Sequence, residues 1–425
     1  MIRGTPLGLG LLAGLCAAPG LALAAERGSA SSGVRLDDYS DVVAVRDRPR
    51  EAYRPDGIRI GNYLLFSEVG FRTSWTNDSS LAGGKGAPSR FQTAPSVGFE
   101  LNSQFQRHQL DVKIEGQPVG LEDGEVRSVD GQIKVNWRIN IDHASSIYGI
   151  TSAVTRHEED LEDERPSGRG ARSSITRSNV EAGYARNSGR IDAAVGARYQ
   201  RWDFSDTVLG DGTHISHASQ DYAILQPFVQ LGYRLSPTTK VFGSIAGRFQ
   251  ENRGDNVIDR DAKGAEAHVG TQFEISPVIR LMLKAGYVAQ DYLQPGLTDI
   301  GALVWQGRVE WLVTPLLTLS LASNREVATT GFGEASGRLL TAHSIRADYE
   351  VWRNLLVLAE ATLRTAEYAG ENRDDTILVG RLGAEYMAGK NWLFTLGYEH
   401  HQLTSNVADL DRTLDKFSFG MKYRY

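Results

Sequence analysis

From Ile58 to Tyr425, apolar and polar residues alternate over long stretches, and the pattern holds to the last residue. A period of two means strands with one face against something apolar. In 133–142, Ile133, Val135, Trp137, Ile139 and Ile141 share one face, and Lys134, Asn136, Arg138, Asn140 and Asp142 share the other. In 345–351, Ile345, Ala347, Tyr349 and Val351 oppose Arg346, Asp348 and Glu350. In 380–386, Leu382, Ala384 and Tyr386 oppose Arg381, Gly383 and Glu385. The final segment sets Phe417, Phe419, Met421, Tyr423 and Tyr425 against Lys416, Ser418, Gly420, Lys422 and Arg424.

A soluble β-sandwich also alternates, but two features favour a membrane barrel. The alternating runs are 11–16 residues long, against about five or six in soluble strands. The connections also alternate in kind. Short turns fall near 106–108, 143–145, 188–190, 236–238, 276–277, 314–315, 352–354 and 388–391. Three of them carry Ser236-Pro237, Ser276-Pro277 and Thr314-Pro315, and proline suits a turn because it cannot donate to a ladder. Longer polar loops lie near 78–90, 120–127, 159–172, 205–218, 253–261, 293–301, 329–340, 370–375 and 405–413. Seventeen connections join eighteen strands. Sixteen is the alternative count, because 106–108 and 120–127 are the weakest signals. The expected fold is all-β, a single transmembrane antiparallel β-barrel with a short N-terminal periplasmic arm.

Composition hides such a wall. Mean hydropathy is −0.31, and no 18-residue apolar run follows the N-terminus, which argues against membrane helices but not against strands. Residues 1–24 read as a secretory signal peptide: Arg3 precedes an apolar stretch from Leu7, and Ala22-Leu23-Ala24 forms a small-residue cleavage site. The only cysteine, Cys16, lies inside it, so no disulfide framework or multi-cysteine metal site is expected. Residues 25–57 are polar and read as a periplasmic arm or partial plug, and 58–425 as the barrel. The net charge of −6 gives no support for nucleic-acid binding.

A sheet in lipid must close, and its apolar face must point outward. Lys134, Arg138, Arg280, Lys284, Arg308, Glu310, Arg346, Asp348, Glu350, Arg381 and Glu385 are therefore expected to face the lumen. Both signs occur two residues apart, so pairing across neighbouring strands is expected, and an eighteen-strand ring is wide enough for water. Tyr63, Trp75, Phe99, Trp137, Tyr148, Tyr184, Tyr199, Tyr233, Phe242, Tyr287, Trp305, Trp311, Tyr349, Trp392, Phe394 and Tyr398 fit outward or interfacial girdle positions. Short turns and both ends of the barrel fall on the periplasmic side. The acidic run His157–Glu164 falls in an outer loop, where solvation is the simpler reading and cation binding the alternative.

The stretch Val45–Tyr63 resembles the N-terminal motif of the outer-membrane β-barrel porin type 2 family. Arg46, Arg48 and Pro49 match an Arg-x-Arg-Pro stretch. Tyr53, Pro55, Gly57, Ile58, Arg59 and Gly61 match a Tyr-x-Pro-x-Gly-Ile-Arg-x-Gly stretch leading into the first strand. The C-terminal Tyr423-Arg424-Tyr425 resembles the signal read by the barrel-assembly machinery. The sequence departs from the family at Leu65-Phe66-Ser67, where a proline is common. The resemblance implies a Gram-negative outer-membrane location. It also implies lipid and lipopolysaccharide contacts, and a place near polysaccharide-export components of the periplasm.

No G-x-S-x-G, H-E-x-x-H or P-loop motif appears, so no catalytic, cofactor or metal residue is assigned and no enzyme is expected. His400 and His401 point to opposite faces if both lie in a strand. The functional expectation is a hydrophilic lumen passing polar solute or polysaccharide. The alternatives are a non-transporting structural or adhesive surface barrel and, less favoured, an enzyme assembled from distant strands.

Overall fold

A computed structural model describes residues 43–78, 90–122, 125–157, 174–208, 214–253, 258–331, 333–408 and 410–425. The expected signal peptide, the first part of the arm and the acidic run beyond His157 lie outside the described residues. No described helix is long and apolar enough to cross a membrane.

The strands, in chain order, are β1 (Ile58–Ile60), β2 (Tyr63–Asp78), β3 (Arg90–Ser103), β4 (His108–Glu122), β5 (Glu125–Asn140), β6 (Ser145–His157), β7 (Ser174–Ser188) and β8 (Ile191–Phe204). A two-residue pair follows, β9 (Thr207–Val208) with β10 (His214–Ile215). Then come β11 (Tyr222–Ser236), β12 (Thr239–Asn252), β13 (Ala262–Ser276), β14 (Ile279–Tyr292), β15 (Ile300–Thr314) and β16 (Leu317–Ala328). The last five are β17 (Gly337–Trp352), β18 (Leu355–Ala369), β19 (Asp374–Ala388), β20 (Trp392–Ser405) and β21 (Arg412–Arg424). Eighteen of them, 12 to 16 residues long, pair antiparallel with their neighbours in sequence. The ring closes where β21 pairs with β2, from Glu68↔Arg424 to Asp78↔Leu414. The eighteen-strand count holds, and β1 is an addition to it.

The closing seam has an economical design. β21 is followed by Tyr425, whose backbone exchanges two hydrogen bonds with Ser67, at 2.8 and 3.0 Å. The edge of β2 before Ser67 would then be bare. β1 fills it, pairing Ile58↔Leu65 and Ile60↔Tyr63. The two-residue turn between them carries Gly61 at φ 59°, the left-handed geometry that tight hairpins demand. The seam is also packed. A Cβ on Gly70 would run into the Met421 carbonyl oxygen and lie 2.8 Å from Lys422 Cγ.

Turn chemistry explains the short hairpins. Three Ser/Thr-Pro turns each put a one-residue register shift just before the turn, at Arg234/Ser236, Glu274/Ser276 and Leu312/Thr314. In two of them the hydroxyl accepts a backbone N–H two residues on: Thr238 N to Ser236 Oγ at 3.2 Å and Leu316 N to Thr314 Oγ1 at 3.1 Å. The β5–β6 turn uses a carboxylate instead. Asp142 Oδ1 accepts the N–H groups of Ala144 and Ser145, both at 2.7 Å. These bonds hold the Asp142 carboxyl below its ordinary value of 3.8.

Two connections differ from expectation. Pairing of β4 with β5 runs out to Glu122↔Glu125, well inside the loop expected over 120–127, and residues 123–124 lie outside the described residues. The loop expected over 205–218 contains β9, β10 and a single 3-10 turn at Ala218–Gln220.

Facing direction follows the alternation. Trp311, Leu321, Ile345, Tyr349, Leu382, Tyr386, Leu396 and Phe417 are 41–62% exposed and stand on the convex face. Two aromatics depart from the girdle expectation. Tyr148 and Phe242 lie on inward positions, each over a glycine of the next strand: Tyr148 beside Gly183, Phe242 beside Gly270. Both rings cover backbone that no side chain protects.

Gly70→Val should overpack the seam by about 1–3 kcal/mol. The fraction of protein running as the compact, heat-modifiable form in a gel should fall. Asp142→Ala should lower the denaturant midpoint, while Asp142→Asn, which keeps the acceptor, should not. Because folding lowers this pKa, the contribution is complete above the unfolded value of 3.8 and is lost as pH falls through the lower folded value. The midpoint difference between wild type and Asp142→Ala should therefore be full at neutral pH and shrink in acid.

Candidate functional site: the charged inner wall and its arm

The inner wall is organised as a row of alternating charge. Following the register from strand to strand, Glu274 faces Arg280, Arg280 faces Glu310, Glu310 faces Ser320 and Ser320 faces Arg346. The row continues through Glu360, Arg381, Glu399 and Lys416. It crosses β13 to β21 and climbs away from the short turns, from two residues before the end of β13 at Glu274 to the middle of β20 at Glu399. Direct ion pairs link Arg280–Glu310 at 3.0 Å, Arg346–Glu360 at 3.7 Å, Arg381–Glu360 at 3.2 Å and Arg381–Glu399 at 3.5 Å. Arg346 also holds Asp348 at 2.7 Å. His401, 1% exposed, joins the end of the row through Glu399 at 3.3 Å. His400, on the opposite face, pairs with Asp415 at 2.8 Å.

Ser320 is the one break in the alternation, and the arm supplies the missing cation. Arg46 Nη2 donates to Glu310 at 3.3 Å. Burial opposes its charge, but the carboxylates of Asp47, Asp348 and Glu310 prevail and raise its pKa. Arg50 donates to Glu350 at 2.9 Å and to the Val45 carbonyl at 2.9 Å. Arg48 reaches the same Glu350 at 3.4 Å and the Pro315 carbonyl at 2.7 Å. The apolar counterpart is Val45, 1% exposed, packed with Leu356, Met387, Leu393 and Tyr53. Its N–H donates to Thr318 Oγ1 at 3.0 Å. Burying one valine is worth about 1.5–3 kcal/mol, so the arginines and Val45 together fix the segment against β15–β20.

The motif residues beyond Arg50 lead the chain out to the wall. The Tyr53 carbonyl accepts from Arg424 at 3.3 Å, and the Arg54 guanidinium lies 5.3 Å from the Phe66 ring centre. Gly57, at φ 69°, passes Phe66 so closely that a Cβ would lie 2.9 Å from its ring. Pro49, Arg59 and Gly61 are exposed, and Pro55 is half-buried. Of the C-terminal pair, Tyr423 meets the Trp392 ring edge-on at 5.1 Å, and Tyr425 makes the seam bonds to Ser67. A cavity of about 150 Å³ remains between the arm and the β2–β4 wall, lined in part by Arg50, Tyr53, Phe66, Glu115 and Glu385.

The eleven charged positions read from the sequence all occupy inward register positions, but they separate into groups. Arg280, Glu310, Arg346, Asp348, Glu350 and Arg381 form the row and the arm's dock. Glu385 borders the cavity. Lys284 faces Gln306 and Gly270, and Arg308 faces Ala322 and Met282. Lys134 faces Lys113, and Arg138 faces Gln109, on β5 away from the arm's anchor. Sequence reading did not single out Glu360, Glu399, Thr318 or Arg50, and it placed His401 only as facing opposite to His400. Glu360 shares its face with Leu356 and Leu358, so its strand reads as apolar on both sides. Among the described residues, no group of three or more His, Cys, Asp or Glu is placed to hold a metal.

Removing a buried partner of an ion pair costs about 3–5 kcal/mol. Glu350→Ala strips the carboxylate from Arg48 and Arg50 and should release the arm. Limited trypsin digestion checks this: cleavage after Arg46 and Arg50 should be slow in the parent protein and fast in the variant. Equal rates would mean the clamp does not hold the arm.

Comparison with known proteins places this geometry. A family model described as "Putative beta-barrel porin 2" matches residues 51–425, so Arg46, Arg48 and Pro49 lie ahead of the matched region. No curated protein matches the chain. Among solved structures, a BenF-like porin from Pseudomonas fluorescens Pf-5 is similar at 10% identity and TM-score 0.47, over 85% of this chain and 99% of that one. The outer membrane protein OpdK of Pseudomonas aeruginosa aligns at 11% identity and TM-score 0.46, over 85% and 99%. The FrpB iron transporter of Neisseria meningitidis aligns at 11% identity and TM-score 0.43, over 79% of this chain and only 62% of that one. The family match covers the whole barrel, and the chain belongs to the β-barrel porin 2 family, a family of Gram-negative outer-membrane barrels.

Proposed function

We propose that this barrel passes hydrophilic solutes across the outer membrane, with export of polysaccharide as the specific role to test. The observation that supports this reading is the row of paired charges of both signs inside an eighteen-strand ring whose exterior is apolar. Paired charges keep a wall wettable without giving it a strong net field. Such a lumen suits polar, weakly charged cargo. A packed apolar interior would have suited a purely structural barrel. The aromatic C-terminus supports delivery by the barrel-assembly machinery, and the exposed aromatic band supports contact with lipid and lipopolysaccharide.

Purified protein in a planar bilayer should conduct. Removing residues 25–57 should raise the single-channel conductance, because the arm occupies part of the periplasmic mouth. Stable silence with and without those residues would sink the channel reading in favour of a structural or adhesive barrel. In the native bacterium, deletion should abolish released polymer while leaving its synthesis intact. Unchanged release would reject the polysaccharide role and leave solute passage standing.

A further inference from the structure

The β16–β17 hairpin does not stay in the wall. β15 pairs with β16 only from Thr314↔Leu317 to Trp305↔Arg325. Beyond that point β16 and β17 remain paired with each other, out to Ala328↔Arg338. The upper part of β15, Ile300–Val304, has no ladder partner in β16. The hairpin tip instead leans over the inner face. Val327 joins Val288, Tyr292, Ile300, Ala302 and Val304 in one buried cluster, and those five belong to inward positions of β14 and β15.

The tip reaches three strands further, to β12. Arg248, Gly264, Gln290 and Ile300 form one inward row on β12, β13, β14 and β15. Gly264 has no side chain, so Arg248 Nε can cross it to Gln290 Oε1 at 2.9 Å. The same guanidinium donates to the Val327 carbonyl at 3.4 Å, and Thr329 Oγ1 donates to Gln250 Oε1 at 2.8 Å. Arg260 holds the far end of the tip, donating to the Ala335 carbonyl at 2.8 Å and the Gly333 carbonyl at 2.7 Å. Ser336 Oγ donates to the Thr298 carbonyl at 2.6 Å. Ala335 and Ser336 are completely buried, and Thr330 is 3% exposed. Gly337 passes so close that a Cβ would lie 2.6 Å from Tyr292 Oη and 2.8 Å from Ile300 Cδ1. An exposed outer loop has no need of two buried arginines and an apolar seat.

We infer that the β16–β17 hairpin is the segment that sets the passage at the outer mouth, with Arg248 and Arg260 as its positioning residues. The tip covers the inner face of β12–β15, and at the other mouth the arm covers β15–β20. Both obstructions lie on one side of the ring. Among the described residues neither segment covers the inward face of β4–β8, and the passage is assigned to that side, past Lys134, Asn136 and Arg138. This inference rests on the channel reading and locates its specificity-determining segment.

Cysteine accessibility tests it, because the chain's single cysteine, Cys16, lies in the expected leader. Asn136→Cys and Ala302→Cys report the two sides of the lumen, and the probe is the cationic thiol reagent MTSET, read by mass spectrometry on folded protein in micelles. Labelling at 136 should exceed labelling at 302 by about tenfold or more, the protection expected of a seated segment. Adding Arg248→Ala and Arg260→Ala should bring the rate at 302 up towards that at 136 and raise the conductance. Gly337→Leu, which dislodges the tip by steric pressure and removes no charge, should do the same if the double variant folds poorly. Equal rates at 136 and 302 in the parent protein, or a rate at 302 unmoved by both variants, would overturn the inference. The labelling is read without any current, so a silent bilayer would reject the channel while leaving the seated hairpin intact.

Discussion

The alternating row from Glu274 to Lys416 is the contact on which the inner architecture depends. Except at Ser320, each charge lies opposite one of the other sign on the neighbouring strand, so the pairs fix the strands against sliding as well as against separation. A slip of one residue would turn the whole charged set to the lipid side. In hydrocarbon that is costly, and inside the ring it would replace ion pairs with apolar contacts. The apolar exterior and the charged interior therefore specify the same register.

The same row explains why the arm sits where it does. Ser320 is uncharged, so Glu310 has a cation on its β14 side, Arg280, and none on its β16 side. Arg46 fills the gap, and Arg48 and Arg50 serve Glu350 a short distance away. The arm is thus an additional member of the wall's charge pattern, and Val45 and Tyr53 seat it by burial. The hairpin tip at the other mouth uses the same means. Arginines bind backbone carbonyls, and a small apolar cluster excludes water beneath them.

Much of the fold was legible because alternation is local. A reader of 345–351 or 417–425 needs no knowledge of any other strand to assign the two faces, and the Ser/Thr-Pro turns mark their own positions. The N-terminal motif was legible as a pattern, but its purpose was not. Nothing in Arg46 or Arg50 announces Glu310 or Glu350, which lie some hundreds of residues away. The extent of the loop over 120–127 was misjudged because the polar residues at both its ends belong to extended strands. The lean of β16–β17 left no local trace. Val327 keeps an outward place in the alternation yet packs inward, and only the distant cluster it shares with Tyr292 and Val304 reveals it. Tyr148 and Phe242 were misplaced for a related reason, since the glycine each covers is on another strand.

The seam between β2 and β21 has a consequence for the order of assembly. The edge of β2 from Ser67 onward has no partner until the thirteen residues of β21 arrive, and the final hydrogen bonds are made by Tyr425 just after it. β1 covers only three residues of that edge and cannot substitute for the rest. The ring therefore stays open through the synthesis and delivery of every other strand. The arm can dock fully only late, because Arg424 and the strands carrying Met387 and Leu393 lie near the C-terminus. Closure of the ring and docking of the arm are thus coupled in time: a chain cut short by even its last strand would present an unclosed sheet and an arm without its complete dock.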